Sequence, residues 1–530
     1  MPEETEYPYA YTTGLADLHI LADGSLLRPG AYESRYSRNG IAPKARPGDA
    51  RTETERDRGR IGYSSYLRRL AGVTQVISPE LTAARMHSRE SHTHKVAMVA
   101  REIAEHVTRR AGQDEELATL IFKIGGLDIS ACEAAGLAHD LGHAPFGHAG
   151  EVELHKLLRN RADDGFEGNP QSFRIVTKLD GGNDLGREAM DLTNVTLCAL
   201  LKYPWKRAEA DGRPKSPAAT EHPDEGLIAG KVKVDDKRRP KKFGSYESDY
   251  SHFRNAREGV VGEDWATSRK QSIEASIMDL ADDVAYAIHD LEDFITAGMI
   301  DLHEVRSDLV DATSGLGNEA EPFAHSEGKD PFTRATSKLR ETYDGLFQDT
   351  QYLFAITSVV KLIDALINRT PEAGFSSSLK QNLSDRVSEY FKTIEVNADE
   401  PYPDAPYVRL NPQSWHEIQV LKVITRHYLI SSPRMGIIQR AQTQSIRALV
   451  KGTIAWMKSS NDTATLPEGL RTTLKAAGVD LGKPLGKLGP MHYRAVGDYV
   501  CGMSDSEALL RSNWVVGREI PGMTMVVEAF

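Results

Sequence analysis

The chain has 530 residues, 40% hydrophobic and 27% charged, a balance that supports a buried core and excludes a disordered polymer. Its 65 Lys+Arg against 76 Asp+Glu leave a net charge of −11, which excludes a generally basic coat for nucleic acid. No apolar run approaches the roughly 18 residues of a membrane span, the start MPEETEYPYAYTTG lacks the regions of a secretory leader, and three scattered cysteines (Cys132, Cys198, Cys501) exclude a disulfide scaffold, so a reducing cytoplasm is the expected setting.

Residues 1–50 are polar and punctuated by Gly and Pro, and predict an irregular segment. RTETERDRGR at 51–60 alternates charge and reads as a solvated helix start. From about 62 to 200 the pattern is helical. Val96, Val99, Ala100, Ile103 and Val107 form one apolar face over 89–110, and Gly112 stops it. Ala131–Leu141 predicts a short Ala/Leu-rich helix. Residues 206–242, rich in Lys, Arg, Pro and Gly, predict a long loop insert. Over 270–297 the stripe Ile273, Ile277, Leu280, Val284, Ile288, Leu291, Ile295 predicts one strong helix, with Asp279, Asp282, Asp283, Tyr286, Asp290 and Asp293 on the other side. Loops are expected at 312–330 and 397–406, and helices again over 335–395 and 415–458. Period-2 alternation is scarce, so the expected fold is all-α, with a core at 51–310 and a helical region at 311–530 packed on that core and involved in oligomer contacts.

The histidines cluster. His87, His92 and His94 precede or lie on one helix, and AAGLAHDLGHAPFGHAGE then brings His139-Asp140, His143 and His148 together. Neighbours on a helix point about 100° apart, yet both can reach one ion where a helix ends or kinks, and Gly142 and Pro145 supply such a break. An imidazole with a carboxylate suits a borderline or hard divalent cation. His92 shares the inward face of Val96, Val99 and Ile103. Asp282, Tyr286 and Asp290, at i, i+4 and i+8, form a polar ridge. Such a run of acids without interleaved Lys or Arg repels itself unless cations offset it.

These segments together resemble the HD-superfamily deoxynucleoside triphosphate triphosphohydrolases, the dGTPase-like group. The resemblance rests on Arg89-Glu-Ser-His92, His139-Asp140 and LADDVAYAIHDLED. Also in order are RTETERDRGRIGYSSYLRRLAGVTQV at 51–76, FEGNPQSFRIV at 166–176, LKYPW at 201–205, KKFGSYESD at 241–249 and DYVCGMSDSEAL at 498–509. It implies that His92, His139, Asp140 and Asp282 hold one divalent metal ion. Mn²⁺ or Mg²⁺ lead; Fe²⁺, Co²⁺ and Ni²⁺ also suit such ligands. It implies that Gln75 reads the sugar 3′-hydroxyl, Arg89 and His143 meet phosphate, Tyr286 and Asp290 line the substrate pocket, and His148 with Glu151 forms a catalytic pair. Where many relatives have a His in FEHN, this chain has Gly168, which places the proton transfer on His148. His94 is expected at the surface.

The implied reaction converts a dNTP, dGTP foremost, and water to deoxynucleoside and inorganic triphosphate by attack at the α-phosphorus. The resemblance also implies a homo-oligomer, a hexamer or another even assembly, and admits an effector dNTP. Two alternatives stand beside it. One is a different HD-domain nucleotide phosphohydrolase. The other is a nucleotide sensor or single-stranded nucleic-acid binder, for which Lys231, Lys233, Lys237, Arg238, Arg239, Lys241 and Lys242 in the insert would be the contact.

Overall fold

The computed structural model describes residues 11–12, 18–44, 48–75, 88–181, 189–207, 242–266, 268–313, 330–343, 346–368, 375–398, 406–430 and 433–518. The insert's basic cluster, save Lys242, lies outside the described residues, as does His87. The fold is helical, as expected. Its small sheets are β1 (Tyr11–Thr12), β2 (His19–Ile20), β3 (Leu26–Leu27) and β4 (Gly126–Leu127), antiparallel in that order, and the hairpin-like pair β5 (Ile394–Val396) and β6 (Val408–Leu410). The segment before residue 50 is therefore not irregular throughout. β3 pairs with β4, and Leu18, Leu26 and Leu27 are buried against the helical core.

Helix α1 (Glu53–Gly62) starts in a capping box between Thr52 and Glu55. Three of its charges, Glu53, Arg56 and Asp57, are buried rather than solvated, which corrects the expectation for them. Glu53 and Asp57 are buried and pair with Arg38 at 2.7 and 2.5 Å, and Asp57 also accepts from the N–H and hydroxyl of Thr193. Buried charges persist only when paired and hydrogen-bonded in this way.

Helix α2 (Arg89–Ala111) is capped by Ser88, and its stripe from Val96 to Val107 is buried as predicted. It crosses α3 (Ile129–Ala138) closely: a Cβ on Gly136 would stand 2.6 Å from Ala97 Cα, so only glycine fits. Helix α3 stops at His139, and a tight loop leads to α4 (Gly147–Leu158). Within it Gly142 lies against α5 (Gly168–Arg174), where a Cβ would meet Gly168 O and Ser172 N at 2.2 Å. Phe146 turns the chain at φ +66°, a left-handed conformation that costs a non-glycine residue about 1–2 kcal/mol.

The helix predicted over 270–297 is interrupted. Helix α6 (Ile273–Ala285) widens into a π-turn at Tyr286–Asp290 before resuming at Leu291–Thr296. This turn re-aims Tyr286 and Asp290 relative to Asp282, a common device at functional sites. Among the described residues, α7 (Asp349–Ile367) alone has the length and composition to cross a membrane. One face of it (Tyr352, Ile356, Val359, Ile363) is buried in the core. It packs on α8 (Pro412–Ile424). Then follow α9 (Pro433–Ser459), α10 (Pro490–Cys501) and α11 (Asp505–Trp514).

Two large apolar cores result. One unites α2 and α6 with α7 and α8; the other unites α4 with α9 and α10. Residues after 311 thus complete both cores rather than forming a separate one.

Candidate active site

The ends of three helices meet at His92, His139-Asp140 and Asp282. His92 Nε2 lies 3.2 Å from Asp282 Oδ1, and His139 Nε2 lies 3.4 Å from Asp140 Oδ1 and 3.6 Å from Asp282 Oδ1. Donor atoms of His92, His139 and Asp140 all lie within 4.8 Å of one another, and all three residues are buried. His139 Nδ1 is 2.7 Å from Gly136 O, so it donates there and Nε2 carries the lone pair. That Nε2 is buried with no hydrogen-bond partner. Two imidazoles and two carboxylates around an unsatisfied lone pair fit a divalent cation. Burial opposes a charged His92 ring, yet Asp282 and Asp290 outweigh it and push the ring up to about 10. Burial likewise opposes a charged Asp140, but the Arg89 guanidinium, then His139 and His143, hold it well below the usual carboxylate range.

The acidic face of α6 has further cations that the sequence reading missed. Lys202 Nζ lies 2.6 Å from Asp279 and 3.1 Å from Asp282, and Lys422 Nζ lies 2.7 Å from Asp283. Two lysines distant in sequence therefore supply part of the cationic offset that this run of acids requires. Lys202 stands in LKYPW, the one hint available beforehand.

A second group adjoins the first through His143, whose Nδ1 lies 3.0 Å from Asp140 Oδ1. Burial, with Arg89 next, pushes His143 down to about 4, so it is neutral at pH 7. Its ring meets that of His148 edge-on at 5.3 Å. His148 Nδ1 lies 3.1 Å from Glu151 Oε2, and Glu151 Oε1 accepts from Gly168 N–H at 2.9 Å. Glu151 is buried, which opposes its charge, but Lys242 and His148 hold its carboxyl well below the usual range. Lys242 Nζ bonds Glu167 at 2.7 Å and lies 3.9 Å from Glu151. Burial and the Glu151 charge push Glu167 up to about 7 against the pull of Lys242. A Cβ at Gly168 would stand 3.6–3.7 Å from His143 and Glu151, so the missing side chain leaves space beside this pair.

Gln75 closes the arrangement. Its Nε2 donates to Asp290 Oδ2 at 3.3 Å, and its Oε1 is buried without a hydrogen-bond partner. The other Asp290 oxygen lies 3.6 Å from His92 Nδ1. Tyr286 is buried in the π-turn between Asp282 and Asp290. Arg89, expected to meet phosphate, is bound within the protein. It pairs with Asp140 at 2.6 Å and donates to the carbonyls of Thr74 and Gln75. His94 is exposed, as expected. Contacts thus run from Gln75 through Asp290, His92, Asp282, His139, Asp140 and His143 to His148 and Glu151.

Residues 89–287 match the HD domain family, and residues 408–513 match the phosphohydrolase-associated domain. A deoxyguanosinetriphosphate triphosphohydrolase-like protein of Corynebacterium efficiens is 34% identical over 415 residues, 75% of this chain and 79% of that protein. The chain belongs to the deoxyguanosinetriphosphate triphosphohydrolase-like family. A family member of Streptomyces coelicolor is 37% identical over 265 residues, 49% of this chain and 50% of its own length. One of Aliivibrio salmonicida is 26% identical over 486 residues, 90% of this chain and 95% of its own. The HD match spans His92, His139, Asp140 and Asp282, and the family's coarse chemistry, metal-dependent phosphohydrolysis, agrees with the donor set found there.

Proposed function

We propose that the protein hydrolyses a deoxynucleoside triphosphate, dGTP foremost, to deoxynucleoside and inorganic triphosphate by attack of water at the α-phosphorus. The carrying observation is that the buried His92–His139–Asp140–Asp282 quartet touches the His148–Glu151 pair through one residue, His143.

The quartet would hold one divalent ion, Mn²⁺ or Mg²⁺ first, with Fe²⁺, Co²⁺ or Ni²⁺ also suited. Such an ion, when bound, polarises the α-phosphate and acidifies water. Proton transfer falls to His148. Glu151 fixes its Nδ1 and leaves Nε2 to take the proton from water or to give one to the leaving 5′-oxygen. His143, held by Asp140 at Nδ1 and against the His148 ring, would border the phosphate-side wall between the quartet and the His148–Glu151 pair. Arg89 pairs with Asp140, helps keep that carboxylate ionised, and would meet a phosphate oxygen beside it. Gln75 Oε1, buried and unpaired, would accept from a sugar 3′-hydroxyl, while Asp290 holds the amide in place. Tyr286 would wall the sugar and reject a 2′-hydroxyl by contact.

The test is product analysis with Mn²⁺ and each of the four dNTPs and GTP in turn, singly and mixed. Deoxynucleoside with intact triphosphate, lost in His148→Ala and Asp282→Ala, is the expected result. Pyrophosphate or monophosphate as product would contradict it and place the chain with other HD-domain phosphohydrolases.

A further inference from the structure

The roles above leave one buried carboxylate beside the site unused. Asp505 begins α11, in the region that matches the phosphohydrolase-associated domain. Its Oδ2 accepts from the N–H of Thr74 at 3.1 Å and from the Thr74 hydroxyl, and its Oδ1 accepts from the N–H of Phe146 at 2.7 Å. Each partner adjoins a site residue. Thr74 precedes Gln75, and its carbonyl accepts from Arg89, the partner of Asp140. Phe146 is the left-handed residue from which α4 and His148 begin.

The turn around Asp505 is stitched to the same loop twice more. Arg69 Nη1 donates to the carbonyls of Cys501 and Met503, and its Nη2 donates to those of Leu141 and His143, each at 2.9 Å. The Cys501 thiol points at Gly142 O, 3.2 Å away. Three donors converge on the two oxygens of Asp505. An ionised carboxylate accepts all three, whereas an amide would turn an N–H₂ toward one of them.

The geometry points to Asp505 as a positioning residue: a carboxylate from outside the HD match that sets the spacing between the Thr74–Gln75 segment and the start of the helix carrying His148. Its kinetic consequences rest on the hydrolysis proposed above. Displacement of either segment by about 1 Å is enough to lower turnover roughly 10²-fold.

The test compares full-length Asp505→Asn, Thr74→Val, Thr74→Ser and the Asp505→Asn/Thr74→Val pair with the wild type. Steady-state kinetics with dGTP, Mn²⁺ titration of the metal-free protein followed by electron paramagnetic resonance, and amide hydrogen exchange are the readouts. Asp505→Asn is expected to lower kcat about 10–100-fold while Mn²⁺ affinity stays within about threefold. Thr74→Val should raise KM about 3–10-fold with kcat within about twofold, and Thr74→Ser should behave as wild type. The double variant should be no worse than Asp505→Asn by more than about twofold, because both act through one contact. Asp505→Asn with wild-type kinetics would overturn the inference. So would parallel loss of activity, Mn²⁺ binding and thermal stability with Thr74→Val unaffected. If Asp505→Asn does not fold, the Thr74 variants decide in the same way. If the wild type turns over no dNTP, the proposed reaction fails, and hydrogen exchange judges the clamp. Faster exchange at the Thr74 and Phe146 amides in Asp505→Asn supports it, and unchanged exchange refutes it.

Discussion

His139 enters the site with one ring nitrogen already committed to Gly136 O, so a cation meets a fixed lone pair rather than a ring that must first choose a tautomer. Glu151 does the same for His148, and its own charge is secured by Gly168 N–H and Lys242. Glu151→Gln keeps the shape but removes the charge that holds the ring. We expect kcat to fall roughly 10²–10⁴-fold while Mn²⁺ binding is retained, as checked by kinetics and metal titration side by side. Loss of Mn²⁺ binding in this variant would assign Glu151 to the metal group instead. At this scale the histidines were legible from their spacing and from the ordered motifs around them. Lys422 was not, and Lys202, Arg69 and Asp505, though inside the quoted motifs, gave no sign of their partners. Each meets its partner across a long stretch of chain, and no local pattern announces which distant carboxylate or carbonyl a side chain will find. The pairing of Arg89 with Asp140 was not legible either, because spacing alone does not say which carboxylate a guanidinium meets.

The helices show where periodicity works and where it stops. The stripe of α2 was readable because one apolar face against a core repeats every 3.6 residues. The same rule predicted an unbroken helix over 270–297 and missed the π-turn, whose apolar positions barely differ from those of an α-helix. It also misread α1, because alternating charge looks alike whether it faces water or a buried Arg38. Helix α7 supplies a prediction. Its first turn is held by His416, whose Nδ1–H donates to Pro412 O at 2.6 Å and whose Nε2 accepts from Gln348 N–H at 2.9 Å. Both bonds need a neutral ring, and burial pushes His416 down to about 4 from an ordinary 6.5. Between those values the unfolded chain binds a proton that the folded chain refuses. Stability from this residue is therefore full above about pH 6.5 and is lost as pH falls toward 4, by roughly 3 kcal/mol at most. Thermal melts from pH 7 to 4.5 should show a shallower fall in Tm for His416→Gln than for the wild type. Equal slopes would contradict this.

For the whole molecule, the all-α class was readable from the scarcity of alternation, and the family from motifs spread over most of the chain. Helices after 311 bury apolar faces against α2, α4 and α6, so two long helical regions with complementary stripes merge into shared cores. The quartet hangs on α2, α3 and α6, while the Asp505 turn that meets Phe146 comes from the far end of the chain. Removing the metal with a chelator should abolish turnover without unfolding the protein, because these apolar cores hold the site's walls.

The most direct measurement is hydrolysis of dGTP in H₂¹⁸O, with mass analysis of both products. Attack at the α-phosphorus places one ¹⁸O in the triphosphate and none in deoxyguanosine. Label in deoxyguanosine, or in orthophosphate or pyrophosphate released in place of triphosphate, would contradict the account.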